Sequence, residues 1–237
     1  MNNKDKLINN TLSLLELKKL GSTALYKKSV KANFKLSYKR IFFLIFLFVL
    51  CFYILYTLAF KETAALTIIS DLTVNFNAVM IPIFAVLITG YAIFQALTNE
   101  NTINTMLTVV SERENVSKFA SYNLYFFGVI CTYLILIIGN FIILIIFKYL
   151  PPDWESQLFT TKINEIIAAV LISIYVIILV NFIIEVKSYV YNLFQVFVTN
   201  ATTSAIAKIE SSKESISTEN NNDRKNIRPK RRRKRNR

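Results

Sequence analysis

The side chains with the most chemical potential in this sequence are uncharged polar groups set into long apolar runs. Thr89, Gln95, Thr132, Asn140, Ser173 and Asn181 each stand among Val, Ile, Leu and Phe neighbours. In hydrocarbon, such groups either hydrogen-bond from helix to helix or line a hydrated path. Interhelical bonding is the simpler reading, and pore lining is the functional one. Proton relays and ion-coupled transporters usually place ionisable residues at membrane depth, and the apolar cores at 41–60, 78–97, 122–147 and 166–184 contain no Asp, Glu, Lys or Arg. Asn140 and Asn181 are expected toward opposite faces of the membrane, so they are not expected to pair within one hairpin.

Enzymatic chemistry has little to stand on. The chain has no His, which excludes histidine metal ligands, histidine bases and triads that need one. No P-loop, HExxH, CxxC or GxSxG pattern occurs. Ser173 and Thr89 are hydroxyls without a visible base. The reading is a non-enzyme with no cofactor and no metal site. Cys51 and Cys131 both fall inside apolar runs and read as packing residues, not as a disulfide framework.

The elements that must position these groups are apolar helices. The runs at 41–60, 76–97, 122–147 and 164–184 each have the roughly 20 residues that a helix needs to cross a hydrocarbon core of about 30 Å. Stretches such as 141–147, FIILIIF, do not alternate, which argues against a β-barrel. A soluble helical core would need polar faces, and only 18% of the 237 residues are charged. The first run follows 40 residues of basic chain and has no small-residue cleavage pattern, so it reads as a retained span and not a signal peptide. The fold class is therefore all-α: a polytopic integral membrane protein with four transmembrane helices in two antiparallel hairpins. Pro82 and Gly90 mark a bend or a close approach in the second span. Gly128 and Gly139 are eleven residues apart, on nearly one helical face, and suggest close packing of the third span across a subunit contact.

Charge orients these spans. The formal net charge is +13. Residues 1–40 carry ten basic and two acidic side chains, residues 61–185 five and nine, and residues 186–237 thirteen and four. Basic flanks remain cytoplasmic, so both termini are expected inside, which four spans allow. The connections 61–77 and 148–165 then face outward. Trp154, after Pro151-Pro152-Asp153, reads as an interfacial anchor more readily than a ligand-capturing ring. Tyr38, Phe42, Phe43, Tyr122, Tyr125 and Tyr149 fall where aromatic belts occur.

On the inner side, an arm at 1–40 carries a short helix around Leu12–Leu20. Lys27, Lys28, Lys31, Lys35, Lys39 and Arg40 follow it and suit anionic inner-leaflet lipid. In the connection 98–121, the second helix is expected to run on past the membrane. Residues 186–202 are amphipathic, with Val186, Tyr189, Val190, Leu193, Phe194 and Phe197 recurring at helical spacing. That segment suits a helix extended toward neighbouring subunits slightly better than one lying on the leaflet. Residues 203–237 have the composition of a disordered basic tail. It ends in Arg228, Lys230, Arg231, Arg232, Arg233, Lys234, Arg235 and Arg237, a cluster better explained by topology and anionic lipid than by nucleic acid.

The functional expectation is a small four-pass protein of an oligomeric assembly, either a pore or a membrane sensor or effector. Its partners would be membrane lipid, further copies of itself, or a membrane or cytoplasmic protein. A non-conducting anchor or scaffold that recruits a cytoplasmic partner is the alternative, with a small-solute transporter behind it. The bias toward Asn, Ile, Lys and Phe suits a chain from an AT-rich genome, which points to a bacterial plasma membrane.

Overall fold

A computed structural model describes residues 3–33, 37–60, 63–111, 116–151, 154 and 157–226. Four helices are long and apolar enough to cross a membrane: Tyr38–Ala59, Ala65–Leu97, Lys118–Lys148 and Thr161–Lys213. The chain is thus a small multi-pass helical membrane protein. Three shorter helices gather at the end of the bundle where both termini lie.

The arm forms α1 (Asn3–Lys18) and α2 (Ser22–Asn33), parted near Gly21. Ser37 then caps α3 (Tyr38–Ile54) by accepting the Arg40 N–H at 3.3 Å, as a hydroxyl at that position does. The first span closes with one π turn, Leu55–Ala59. The second span is α4 (Ala65–Leu97), which continues through Pro82. A proline lacks the N–H that would bond the carbonyl four residues earlier, here that of Ala78. Asn99 caps a separate helix, α5 (Glu100–Thr108), accepting the Thr102 N–H at 2.9 Å. The third span is α6 (Lys118–Lys148), capped by Ser117. An antiparallel bridge between Val110 and Ser117 closes the turn before it. The fourth span belongs to α7 (Thr161–Asn226), a single helix of 66 residues, about 100 Å long at 1.5 Å per residue.

Several boundaries differ from the sequence expectation. The second span begins at Ala65, not near 76, and shortens the first connection. Thr73 and Asn77 lower the hydropathy there, yet both are buried against the bundle. The second helix does not run on: it stops at Leu97, and the Asn99 cap starts α5 afresh. Residues 203–226, where composition suggests disorder, continue α7 as helix. The terminal cluster from Arg228 to Arg237 lies outside the described residues, as does Lys35.

The widest packing joins α4 to α6, while α3 lies along α7 and α4 also meets α7. The expected division into hairpins of spans one–two and three–four is not shown by this arrangement. Two apolar clusters fill the interior. One, toward the termini, holds Met80, Leu87 and Phe94 of α4, Phe126, Val129 and Tyr133 of α6, and Tyr189 and Val196 of α7. The other, toward the opposite end, joins Leu55, Ile69, Ala169 and Ile172. Around the first cluster the short helices dock by polar contacts. Asn10 Nδ2 donates to the Leu107 carbonyl at 2.5 Å, bringing α1 onto α5. Ser29 Oγ donates to the Leu124 carbonyl at 2.5 Å, bringing α2 onto α6. Thr102 Oγ1 donates to Asn200 Oδ1 at 2.9 Å, joining α5 to α7.

Candidate functional site within the membrane bundle

Polar groups converge at two levels of the bundle. The first is the termini end. Arg40, at the start of α3, donates from Nη1 to Glu185 Oε2 at 2.6 Å and from Nε to Asn181 Oδ1 at 2.8 Å. Its Nη2 donates to the Asn181 carbonyl at 2.5 Å. Tyr125 of α6 completes the cluster by donating its hydroxyl to Glu185 Oε1 at 2.9 Å. The Arg40 and Glu185 side chains are only 16% and 5% exposed. Both carboxylate oxygens and three guanidinium nitrogens therefore have partners, which a desolvated pair requires. The cluster ties the first, third and fourth spans together where the apolar runs end.

This revises two sequence readings. Arg40, grouped by sequence with the lipid-directed lysines, is paired with Glu185 in the interior. Tyr125 is buried and belongs to no exposed aromatic belt, whereas Tyr38, Phe42 and Tyr149 stay exposed. Lys27, Lys28, Lys31 and Lys39 are exposed. Helix α2 is amphipathic about α6: Ser29 and Tyr26 turn inward, and Tyr26 Oη lies 3.1 Å from Thr132 Oγ1.

The second level lies between the two apolar clusters. Thr73 and Asn77 of α4, Asn140 of α6, and Ser173 and Tyr175 of α7 occupy it. Tyr175 donates to Asn140 Oδ1 at 3.0 Å, and Phe76 meets the Tyr175 ring edge-on at 5.9 Å. Ser173 is eleven residues past Lys162 and twelve before Glu185, so it sits near the middle of its span. Asn77, Asn140 and Ser173 are 6%, 2% and 0% exposed. Among the described residues, Asn77 Nδ2 and Oδ1, Asn140 Nδ2 and Ser173 Oγ have no hydrogen-bond partner. Each buried polar atom left unpaired costs about 1–3 kcal/mol.

The remaining sequence candidates are dispersed. Thr89 is exposed and bonds back to the Ala85 carbonyl at 2.9 Å. Gln95 is exposed and donates to Asn123 Oδ1 at 3.2 Å. Thr132 is buried and donates to the Gly128 carbonyl at 2.7 Å. Asn140 and Asn181 sit in different clusters, with different partners. Pro82 is exposed on α4, and Trp154 is exposed beyond the end of α6. Cys51 and Cys131 are free thiols. A Cβ on Gly90 would meet Tyr189 Cε1 at 2.8 Å, where the Tyr189 hydroxyl donates to the Leu87 carbonyl. A Cβ on Gly128 would overlap the Ser29 hydroxyl, and one on Gly139 would meet nothing within 4 Å. The two glycines of the third span therefore do not serve one contact. Gly128 admits α2 of the same chain, and not another subunit.

Sequence reading missed Glu185, Tyr125, Thr73 and Asn77 as site residues. The lone Arg opening the first span and the lone Glu closing the fourth were a usable signal, because both mark the same membrane boundary. Compared with known proteins, the chain matches no family model, no curated protein and no solved structure.

Proposed function

We propose that this chain is one protomer of a membrane-embedded oligomer, and that α7 both joins the copies and carries changes of state between bilayer and cytoplasm. The observation behind this reading is an apolar stripe on α7 beyond the Arg40–Glu185 cluster. Tyr191, Phe194, Val198, Ala201, Ala205 and Ile209 are all exposed, at spacings of three and four residues that keep them on one helix face. The opposite face packs inward through Tyr189, Val196, Asn200 and Thr203.

Lipid does not account for the stripe. At 1.5 Å per residue, Phe194 lies about 13 Å past Glu185 and Ile209 about 36 Å past it. The headgroup region extends only about 6 Å beyond the hydrocarbon on each side. Side chains that far out are covered by protein, and a seam of this period suits a second copy of the same helix.

The role is non-catalytic: a sensor or effector unit, with both termini in the cytoplasm of a bacterial plasma membrane. Lys27, Lys28, Lys31 and Lys39 face anionic inner-leaflet headgroups.

Disulfide trapping in membranes tests this, in a background with Cys51 and Cys131 replaced by Ala. Val198→Cys is expected to give cross-linked dimers, and Thr203→Cys, which faces Thr102 at 3.2 Å, is not. Phe194→Glu with Val198→Glu is expected to reduce the native mass in lipid nanodiscs to that of one chain. A single-chain mass for the unaltered protein would overturn the reading.

A further inference from the structure

We infer that the polar layer between α4, α6 and α7 is a water-binding site near the middle of the membrane, enclosed by the two apolar clusters. Three observations lead there. The unpartnered atoms come from all three helices, and each side chain is at least nine-tenths buried. They fall at one level. Tyr175 bonds Asn140, and the contact of Phe76 with Tyr175 places the adjacent Asn77 beside them along the parallel helices α4 and α7. Met80 and Ile137 belong to the apolar cluster on one side, and Ile69 and Ile172 to the other, against which Tyr175 itself packs, so apolar side chains adjoin the polar groups in both directions.

The chemistry selects the occupant. Asn77 Nδ2, Asn140 Nδ2 and Ser173 Oγ can donate; Asn77 Oδ1 and Ser173 Oγ can accept. A molecule that both accepts and donates in a small volume is required, and water does so with two to four partners. The five side chains of the layer are Thr73, Asn77, Asn140, Ser173 and Tyr175, all neutral. Nothing there offsets the desolvation of an ion, so the site is built for a neutral ligand. This inference does not depend on how copies of the chain assemble.

X-ray hydroxyl-radical footprinting with mass spectrometry, on the whole protein in nanodiscs, tests the site. Radicals form from water, so a side chain closed to bulk solvent is oxidised only if bound water adjoins it. Met80 is 0% exposed and one turn from Asn77; it is expected to be oxidised together with Tyr175. In Asn77→Leu with Asn140→Leu, oxidation at both is expected to fall severalfold, with Met106 near the termini end unchanged. If that double variant fails to assemble, Ser173→Ala provides the comparison, since it removes one unpartnered hydroxyl and adds no bulk. Met80 and Tyr175 that stay unoxidised in the unaltered protein, or oxidation that persists in the variants, would overturn the assignment.

Discussion

At the scale of single residues, Arg40 shows how partner and not type sets a role. It ends a series of six basic side chains from Lys27 onward, and among the described members of that series it alone turns inward to an acid. Removing one partner of a buried pair strands the other charge, whereas replacing both with apolar groups of similar volume is often neutral or stabilising. Arg40→Met is therefore expected to destabilise the protein by about 3 kcal/mol, the low end for a buried pair because Arg40 keeps some exposure. Arg40→Met combined with Glu185→Met is expected to recover most of that loss. Thermal unfolding in detergent, arranged as a double-mutant cycle, checks this, and additive losses would show that the pair is not coupled. The polar residues of the second level carried a weaker signal. Asn140 and Ser173 stand out because their neighbours are wholly apolar. Thr73 lies near Asp71 in a mixed stretch that reads as a connection, with Asn77 at its junction with the second span, and only their burial shows that both face the bundle interior.

At the scale of elements, the helices themselves were legible, since hydropathy and length suffice for spans and Ser or Asn caps mark several starts. Their faces were less so. Gly128 and Gly139 look equivalent in the sequence, but one admits α2 through Ser29 and the other faces open space. A three-way alanine series separates them. Gly128→Ala and Gly90→Ala are each expected to lower stability by about 1–3 kcal/mol through overpacking against Ser29 and Tyr189. Gly139→Ala is expected to be neutral or stabilising by about 0.5–1 kcal/mol, from better helix propensity. Unfolding midpoints in detergent provide the readout; an equal effect at all three positions would contradict the helix contacts described. The docking of α2 was equally hidden. A Lys-rich segment beside a first span reads as lipid-facing, and its lysines are exposed, but Tyr26 and Ser29 on the other half hold α6.

At the scale of the whole molecule, both termini share one end of the bundle, and charge indicates which side of the membrane that end faces. Labelling intact cells with a membrane-impermeant maleimide, in the background lacking Cys51 and Cys131, tests the orientation. Trp154→Cys is expected to react from outside, and Leu15→Cys only after permeabilisation; the reverse pattern would invert the topology. The sequence by itself determined that the chain crosses a membrane as helices, because a run of apolar residues with no charge can satisfy its backbone in lipid only by internal hydrogen bonds. It also carried the asymmetry of charge between ends and middle. Only the tertiary structure decided that α3 lies on α7, that Arg40 meets Glu185 across 145 positions, and that Tyr175 meets Asn140. Such pairings depend on the rotation of each helix about its axis and on which spans are neighbours. In apolar segments with nearly uniform faces, a few small and polar side chains set both, and their partners are distant in the chain.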